Sequence, residues 1–369
     1  MRYIRPYTTK TEWIPIGKTR WGKVIHNVHR KFGVTGVFAK ARTGKTSIVK
    51  KILCYMAAKG RRLIIFDPEE DYHHLDRLNF NCKSPMAVQD LKVVKDYAFT
   101  IDQFYAQDFA TMGFPRKAMH VASSLARLVD EHKNKPELFK SLLEEIPTTK
   151  EAQHQLLESY GIEAAIFEPN TINAAISWLF LVQPSLKIKL EHKTPVTEIN
   201  YMYDIFYDPD GAGQRDEFNS DVVQELALKN NLVFDMRSLS GGMYNTYVGL
   251  IIRSCYPILK RLKPIFVLEE ADKLCSAEDF YSSSYEEIAE ISLKRQRDDV
   301  HLIAISQSEK IVNRVITDNC HQKIIGKLAY DDERSDKLYW NPDRGIRNFC
   351  LVDDNNKDWF FESDVCPCM

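Results

Sequence analysis

The stretch GVFAKARTGKTSIVKKIL, residues 36–53, passes from an apolar run through a basic loop into a segment of helical character. The loop Ala39-Lys40-Ala41-Arg42-Thr43-Gly44-Lys45-Thr46 closes on Gly44, Lys45 and Thr46, the residue types that hold phosphate. Backbone N–H groups from Ala39 through Ser47 can cradle phosphate oxygens, Lys45 can reach the β and γ oxygens of ATP, and the Thr46 hydroxyl can ligate Mg2+. Ala39 stands where glycine is usual; the change alters the turn and removes none of these groups. Lys40 and Arg42 either add phosphate contacts or face solvent.

Hydrolysis needs an acid at the end of a neighbouring strand, and PIFVLEEAD supplies two, Glu269 and Glu270. Glu269 is placed to hold Mg2+ through water and Glu270 to polarise the attacking water. A plain surface strand end is the alternative. Two acids rather than one favour an ATPase that turns over, not a kinase or a GTPase.

Three further stretches align with this chemistry. IIFDPEEDY places Asp67 and Asp71 beyond a second strand, beside the edge where a doubly wound sheet binds nucleotide. HLIAISQS ends in Ser306, Gln307 and Ser308, where a group sensing the γ-phosphate can sit. SLKRQRDD puts Arg295 and Arg297 ahead of that strand, with the charge an arginine finger needs if subunits form a ring. A cap, a turn and a solvated helix end are the respective alternatives.

The elements that must position these groups are legible as alternating strand-length apolar runs and helix-length segments. That pattern predicts an α/β fold with a mainly parallel sheet flanked by helices. The expected strands are 34–39, 62–66, 232–236, 264–269, 301–306 and 323–328. NFCLVDD and KDWFFES, flanking Asn355 and Asn356, read as a hairpin. Between 102 and 220 the pattern turns helical, as in PRKAMHVASSLARLVDEH and EAQHQLLESYG, so residues 102–220 are read as a mainly helical insertion between core segments 1–101 and 221–369. The polar FYSSSYEE is expected to be a mobile loop.

The order of these signals resembles the HerA/FtsK superfamily of P-loop motor ATPases. A phosphate loop of the AxxxxGKT type is followed by a "DPxGEY"-like motif, here DPEEDY, and by LVFDMRSLSG containing Asp235. EEAD and the strand end Ser306-Gln307 complete the set. The likeness covers roughly residues 34–95 and 230–330. It implies a RecA-like ATPase core using ATP and Mg2+, a hexameric ring, and translocation of double-stranded DNA in genome packaging, DNA transfer or end processing. A nuclease or capsid is the partner type that such motors dock, and the insertion is where docking, a DNA-facing collar or a subunit contact belongs. The chain departs from the family pattern at Glu269 (usually Asp), Asp71 (usually Glu), Glu70 and Arg42 (usually Gly). These positions bear on turnover more than on nucleotide binding. A nucleotide-switched binding module with slow or no turnover is the competing reading. A P-loop kinase, which usually needs an Arg-rich lid, fits less well.

Composition agrees with this reading. Of the 369 residues 44% are apolar and 27% charged, ordinary for a soluble globular protein. No apolar run reaches the roughly 18 residues of a membrane span, and MRYIRPYTTK lacks a secretory apolar stretch, so a cytoplasmic setting, or a virion for a viral protein, is expected. Eight cysteines without a CxxC pair read as mostly buried thiols. The net charge of −1 hides an asymmetry: residues 1–66 hold 16 Lys and Arg against Glu12 alone, whereas the other 303 hold 34 basic and 50 acidic residues. Such a segment either meets a polyanion, here DNA, or pairs with the acidic remainder.

Overall fold

The computed structural model describes residues 12–19, 24–29, 33–77, 88–95, 99–100, 108, 111, 150–159, 188–189, 228–239, 242–259, 263–277, 282–294, 300–328, 332–338, 340–341, 346–352 and 357–364. Its strands are β1 (Glu12–Lys18), β2 (Val24–His29), β3 (Gly33–Phe38), β4 (Leu63–Asp67), β5 (Leu91–Val94), β6 (Phe99–Thr100), β7 (Ile188–Lys189), β8 (Asn231–Asp235), β9 (Ile265–Leu268), β10 (His301–Ser306), β11 (Cys320–Ile325), β12 (Trp340–Asn341), β13 (Ile346–Val352) and β14 (Asp358–Asp364). Helices are α1 (Lys45–Ala58), α2 (Lys150–Ser159), α3 (Gly242–Leu259), α4 (Ala271–Leu274), α5 (Ser283–Lys294), α6 (Arg314–Thr317) and α7 (Glu333–Asp336).

Twelve strands form one sheet in the order β2-β1-β14-β13-β11-β3-β10-β9-β4-β8-β5, with β12 on β13. From β11 to β5 every pairing is parallel. From β13 to β2 every pairing is antiparallel. The inner strands of the parallel part, β3, β10, β9, β4 and β8, are buried at every position and largely apolar, as a sheet covered on both faces requires. On one face Val37, Ile65, Val233, Val267 and Ile303 pack with Ile48, Val49, Ile52 and Leu53 of α1. The alternate residues Ile64, Phe66, Leu232, Phe234, Phe266 and Leu268 are also fully buried, and Phe66 stacks on Phe234 at 5.8 Å. Helices α3 and α5 pack together, α5 also touching β10.

The topology corrects one expectation. Strand β9, which carries the paired acids, is not the neighbour of β3; β10 lies between them. This order brings the Ser306-Gln307 strand end beside both the phosphate loop and the acids. A second correction concerns 323–328: β11 runs Cys320–Ile325, ending where Gly326 N–H donates to Phe38 O and the chain turns onto the loop. The β13–β14 hairpin pairs as expected, Phe349 opposite Phe361.

Residues 282–287 of FYSSSYEE are not a mobile loop. Ser282, Ser283 and Ser284 are buried and begin α5, their hydroxyls bonding Leu274 O, the Thr111 hydroxyl and Asn245. Serine hydroxyls are satisfied as well by backbone and side chains as by water. Within the expected insertion, α2 bears out the helical reading of EAQHQLLES, and PRKAMHVASSLARLVDEH lies outside the described residues. Among the described residues no helix is long and apolar enough to cross a membrane. Cys54, Cys275 and Cys350 are buried thiols, and burial pushes Cys350 up to about 12.

Candidate active site

The phosphate loop leaves β3 at Phe38 and enters α1 at Lys45. Gly44 sits at φ 99°, a left-handed conformation that glycine adopts without steric cost. No side chain caps α1, which leaves the amides of its first turn able to bind an anion. Lys45 Nζ donates to the Ala39 carbonyl at 2.6 Å across the loop, and Thr43 Oγ1 donates to Lys40 O at 2.7 Å. Burial lowers the Lys45 pKa; Glu269, Glu69, Asp272 and Glu270 oppose it. Lys40, Ala41 and Arg42 are exposed, Thr43, Lys45, Thr46 and Ser47 half-buried, and Ala39 and Gly44 buried.

The geometry accounts for Ala39. A Cβ built on Gly326 would lie 2.6 Å from the Ala39 Cβ and 3.3 Å from the Phe349 ring. The Ala39 methyl therefore occupies room that a glycine at 326 leaves open. Gly326→Ala is expected to destabilise the fold by about 1–3 kcal/mol through overpacking. Adding Ala39→Gly should recover part of that loss, as read by urea denaturation; equal stability of the single and double variants would sink the packing account.

Strand β4 ends in Asp67, fully buried. Its carboxylate accepts N–H bonds from Glu69 at 3.2 Å, Asp71 at 3.0 Å and Tyr72 at 2.8 Å, folding DPEEDY into a turn. Burial raises the Asp67 pKa against those bonds and against His73. Asp67 thus organises the turn, and Asp71 is the residue that reaches the loop: Thr46 Oγ1 donates to Asp71 Oδ2 at 3.1 Å.

The next residue, Tyr72, is fully buried, and its hydroxyl donates to Glu269 Oε1. Burial pushes the Glu269 carboxyl up to about 8; Tyr72 and Lys45 act to lower it, Asp71 and Asp67 to raise it. Tyr244 holds the Glu269 carbonyl at 2.8 Å, and Asn245 Nδ2 holds Lys273 O at 3.0 Å, so the first turn of α3 brackets the acidic pair. Glu270 itself sits at φ 50° and pairs with Lys273 Nζ at 2.5 Å. Ser306 Oγ donates to Asp272 Oδ1 at 2.6 Å, tying β10 to α4, while Gln307 is exposed.

Asp235, at the end of β8, is bonded by Arg237 at 2.7 Å and 3.0 Å. Burial acts to raise its pKa, but Arg237 outweighs that and holds it low. Arg237 also pairs with Glu70, and His73 lies 3.6 Å from Asp67 and 3.9 Å from Asp235. Of the five non-glycine residues with positive φ among those described, Arg42 (64°), Glu70 (66°) and Glu270 (50°) lie on this edge. Each costs roughly 1–2 kcal/mol, and such strain concentrates at functional sites. Arg42 and Glu70 occupy two of the positions where the family pattern usually has glycine, and both keep the glycine-like backbone.

The structure thus brings together the loop, Thr46, Asp67, Asp71, Glu269, Glu270 and Ser306, and sets Asp235 one strand further out. Arg295 and Arg297 lie outside the described residues. Tyr72, Tyr244, Asn245, Asp272, His73 and Arg237 were not singled out from the sequence; of these, Tyr72, Asp272 and Arg237 stood inside quoted motifs. Lys50, Lys51 and Arg61, part of the basic N-terminal charge, are buried, so they are not available to a polyanion.

The donor set at the loop is all oxygen: the Thr46 hydroxyl and the carboxylates of Glu269 and Asp71. This suits Mg2+ shared with nucleotide phosphates, since Mg2+ takes few protein ligands. No three His, Cys, Asp or Glu among the described residues cluster to hold a metal by themselves. A cavity of about 670 Å3 opens elsewhere, between Ala277 and residues 309–323, and contains none of the loop residues. A phosphate cradle is a surface of N–H groups at strand ends, so the candidate site is read from its donors and the topology, not from cavity size.

A sequence model described as helicase HerA, central domain, matches residues 32–255. Among solved structures, VirB4 of Thermoanaerobacter pseudethanolicus is similar at 14% identity and TM-score 0.55, over 95% of each chain. The plasmid coupling protein TrwB in complex with ADP and Mg2+ is similar at 13% identity and TM-score 0.51, over 91% of this chain and 78% of that one. The genome-packaging NTPase B204 from Sulfolobus turreted icosahedral virus 2, with ATP-gammaS, is similar at 8% identity and TM-score 0.42, over 91% of this chain and all of the other. No curated protein matches the sequence.

Proposed function

The chain belongs to the family of the helicase HerA central domain, within the HerA/FtsK superfamily of P-loop ATPases, and from that membership we propose an ATP-hydrolysing motor that translocates double-stranded DNA. One observation carries the reading: the β11-β3-β10-β9-β4 order gathers the phosphate loop, the acid pair and the DPEEDY turn on one sheet edge.

The amides of residues 39–47 hold the phosphates, and Lys45 exchanges the Ala39 carbonyl for the β and γ oxygens. Thr46 and Glu269 would hold Mg2+, which when bound would supply neutralisation of the phosphate charge. Glu270 leaves Lys273 to polarise the attacking water, and Ser306 with Gln307 reports the γ-phosphate to α4. Arg295 or Arg297 of a neighbouring subunit completes the site in a hexameric ring. Asp67, Asp71 and Asp235 support the edge. Residues 102–220 form an inserted unit, the place where a nuclease or capsid partner docks, and the exposed basic residues of the N-terminal segment meet DNA. TrwB, of the same fold, binds ADP and Mg2+, which supports the cofactor assignment.

The test is ATP hydrolysis with and without long double-stranded DNA. Stimulation by DNA is expected, weakening as salt rises because phosphate contacts release counterions. Lys45→Ala should abolish both basal and stimulated rates. Tight nucleotide binding without turnover, whether or not DNA is present, would replace the motor by a nucleotide-switched module.

A further inference from the structure

Residues 71 and 72 touch both halves of the assigned magnesium site. Asp71 Oδ2 accepts from the Thr46 hydroxyl at 3.1 Å, and Tyr72 donates to the Glu269 carboxylate. The pair is rigidly seated: the backbone N–H groups of both residues are bound to the buried Asp67 carboxylate, and the Tyr72 ring has no exposed surface. Lys50 Nζ lies 5.8 Å from the centre of that ring, a further anchor. Glu269 is fixed from the other side as well, by the Tyr244 hydroxyl on its carbonyl at 2.8 Å.

A glutamate carries one more rotatable bond than the aspartate usual at this position, so its carboxylate has more places to go. A carboxylate that must share a hydrated cation with a threonine hydroxyl needs one orientation. We propose that Tyr72 is a positioning residue that fixes the Glu269 carboxylate relative to Thr46, with Asp71 and Tyr72 acting as a two-residue gauge between the two groups that hold the metal. The inference rests on Glu269 being the metal-holding acid. Tyr72 touches neither nucleotide nor water in this role; it acts through Glu269.

The test measures binding of a fluorescent ADP derivative as Mg2+ is titrated, for the full chain and for Y72F, E269Q and the double variant. Y72F should raise the Mg2+ concentration for half-maximal effect by about tenfold, the size of outer-shell losses at metal sites. Its affinity for the derivative in EDTA should stay within about twofold. In the E269Q background Y72F should add nothing, since the carboxylate it orients is gone.

An unchanged Mg2+ requirement in Y72F, or the same added shift in the E269Q background, overturns the positioning role and leaves the site intact. An unchanged requirement in E269Q overturns the site reading itself. Should Y72F fold poorly, 3-fluorotyrosine placed at position 72 of the otherwise unaltered chain gives the same decision. Its 19F resonance should move when Mg2+ is added to the ADP-bound protein and not when ADP alone is added; an unmoved resonance overturns the proposal.

Discussion

Glu270→Gln is expected to lower ATP hydrolysis by about 10²–10⁴-fold while ATP still binds, the contribution a positioned general base makes. The substitution keeps the size and the hydrogen-bonding reach of the side chain and removes its basicity. It leaves the backbone brackets in place, because Tyr244 holds the Glu269 carbonyl and Asn245 holds the Lys273 carbonyl. The φ of 50° at Glu270 costs a glutamine about the same as a glutamate, so folding is not the confounding variable. Lys45, by contrast, contacts the loop itself, and losing it removes binding along with turnover. Single-turnover hydrolysis beside equilibrium ATP binding separates the two. A Glu270→Gln rate within about twofold of the parent would move the base to another group on this edge.

Arg253→Ala is expected to cost about 3–5 kcal/mol of stability, the usual penalty for removing one partner of a buried ion pair. The Arg253 guanidinium, on α3, forks onto Asp108 at 2.9 Å and 3.1 Å and sends Nε to Glu287 of α5 at 3.0 Å. Burial works against the Arg253 charge, and Asp108 with Glu287 outweighs it, holding the pKa above its usual value. The Asp108 side chain has 0% exposure, so without Arg253 its carboxylate has no solvent to turn to. Thr111 continues the joint by accepting from the Ser283 amide at 3.1 Å. Lysine restores the charge but not the fork, so Arg253→Lys should recover only part of the loss. Urea midpoints of the three proteins decide it; a loss under about 1 kcal/mol for alanine would place this cluster with solvent-screened pairs.

Some of this was legible in the sequence for a physical reason. HLIAIS coincides with β10 because a strand buried on both faces carries an unbroken apolar run, here Leu302–Ile305 between His301 and Ser306, leaving little room to shift its ends. The strand, loop and helix around Gly44 were legible because a phosphate-binding pattern needs contiguous residues. The β1–β2 hairpin was not foreseen, since EWIPIGK carries a proline and a glycine and takes its place by pairing with β2 and, at Lys18, with β14. The position of β10 between β3 and β9 could not be read along the chain, because pairing is decided by crossovers, not by sequence order. Serines at 282–284 were misread as mobile because polarity was taken for solvation, whereas the fold supplies their partners. Tyr72 was visible as the last letter of DPEEDY, but its partner Glu269 is 197 residues away, a contact that spacing cannot announce.

The central claim is directed movement along duplex DNA driven by ATP, and displacement of a third strand from a DNA triplex measures it most directly. The chain should strip the third strand only when ATP and Mg2+ are both present, with Glu270→Gln bound to the duplex yet inactive. Hydrolysis that proceeds without displacement, or displacement that ignores ATP, would contradict it.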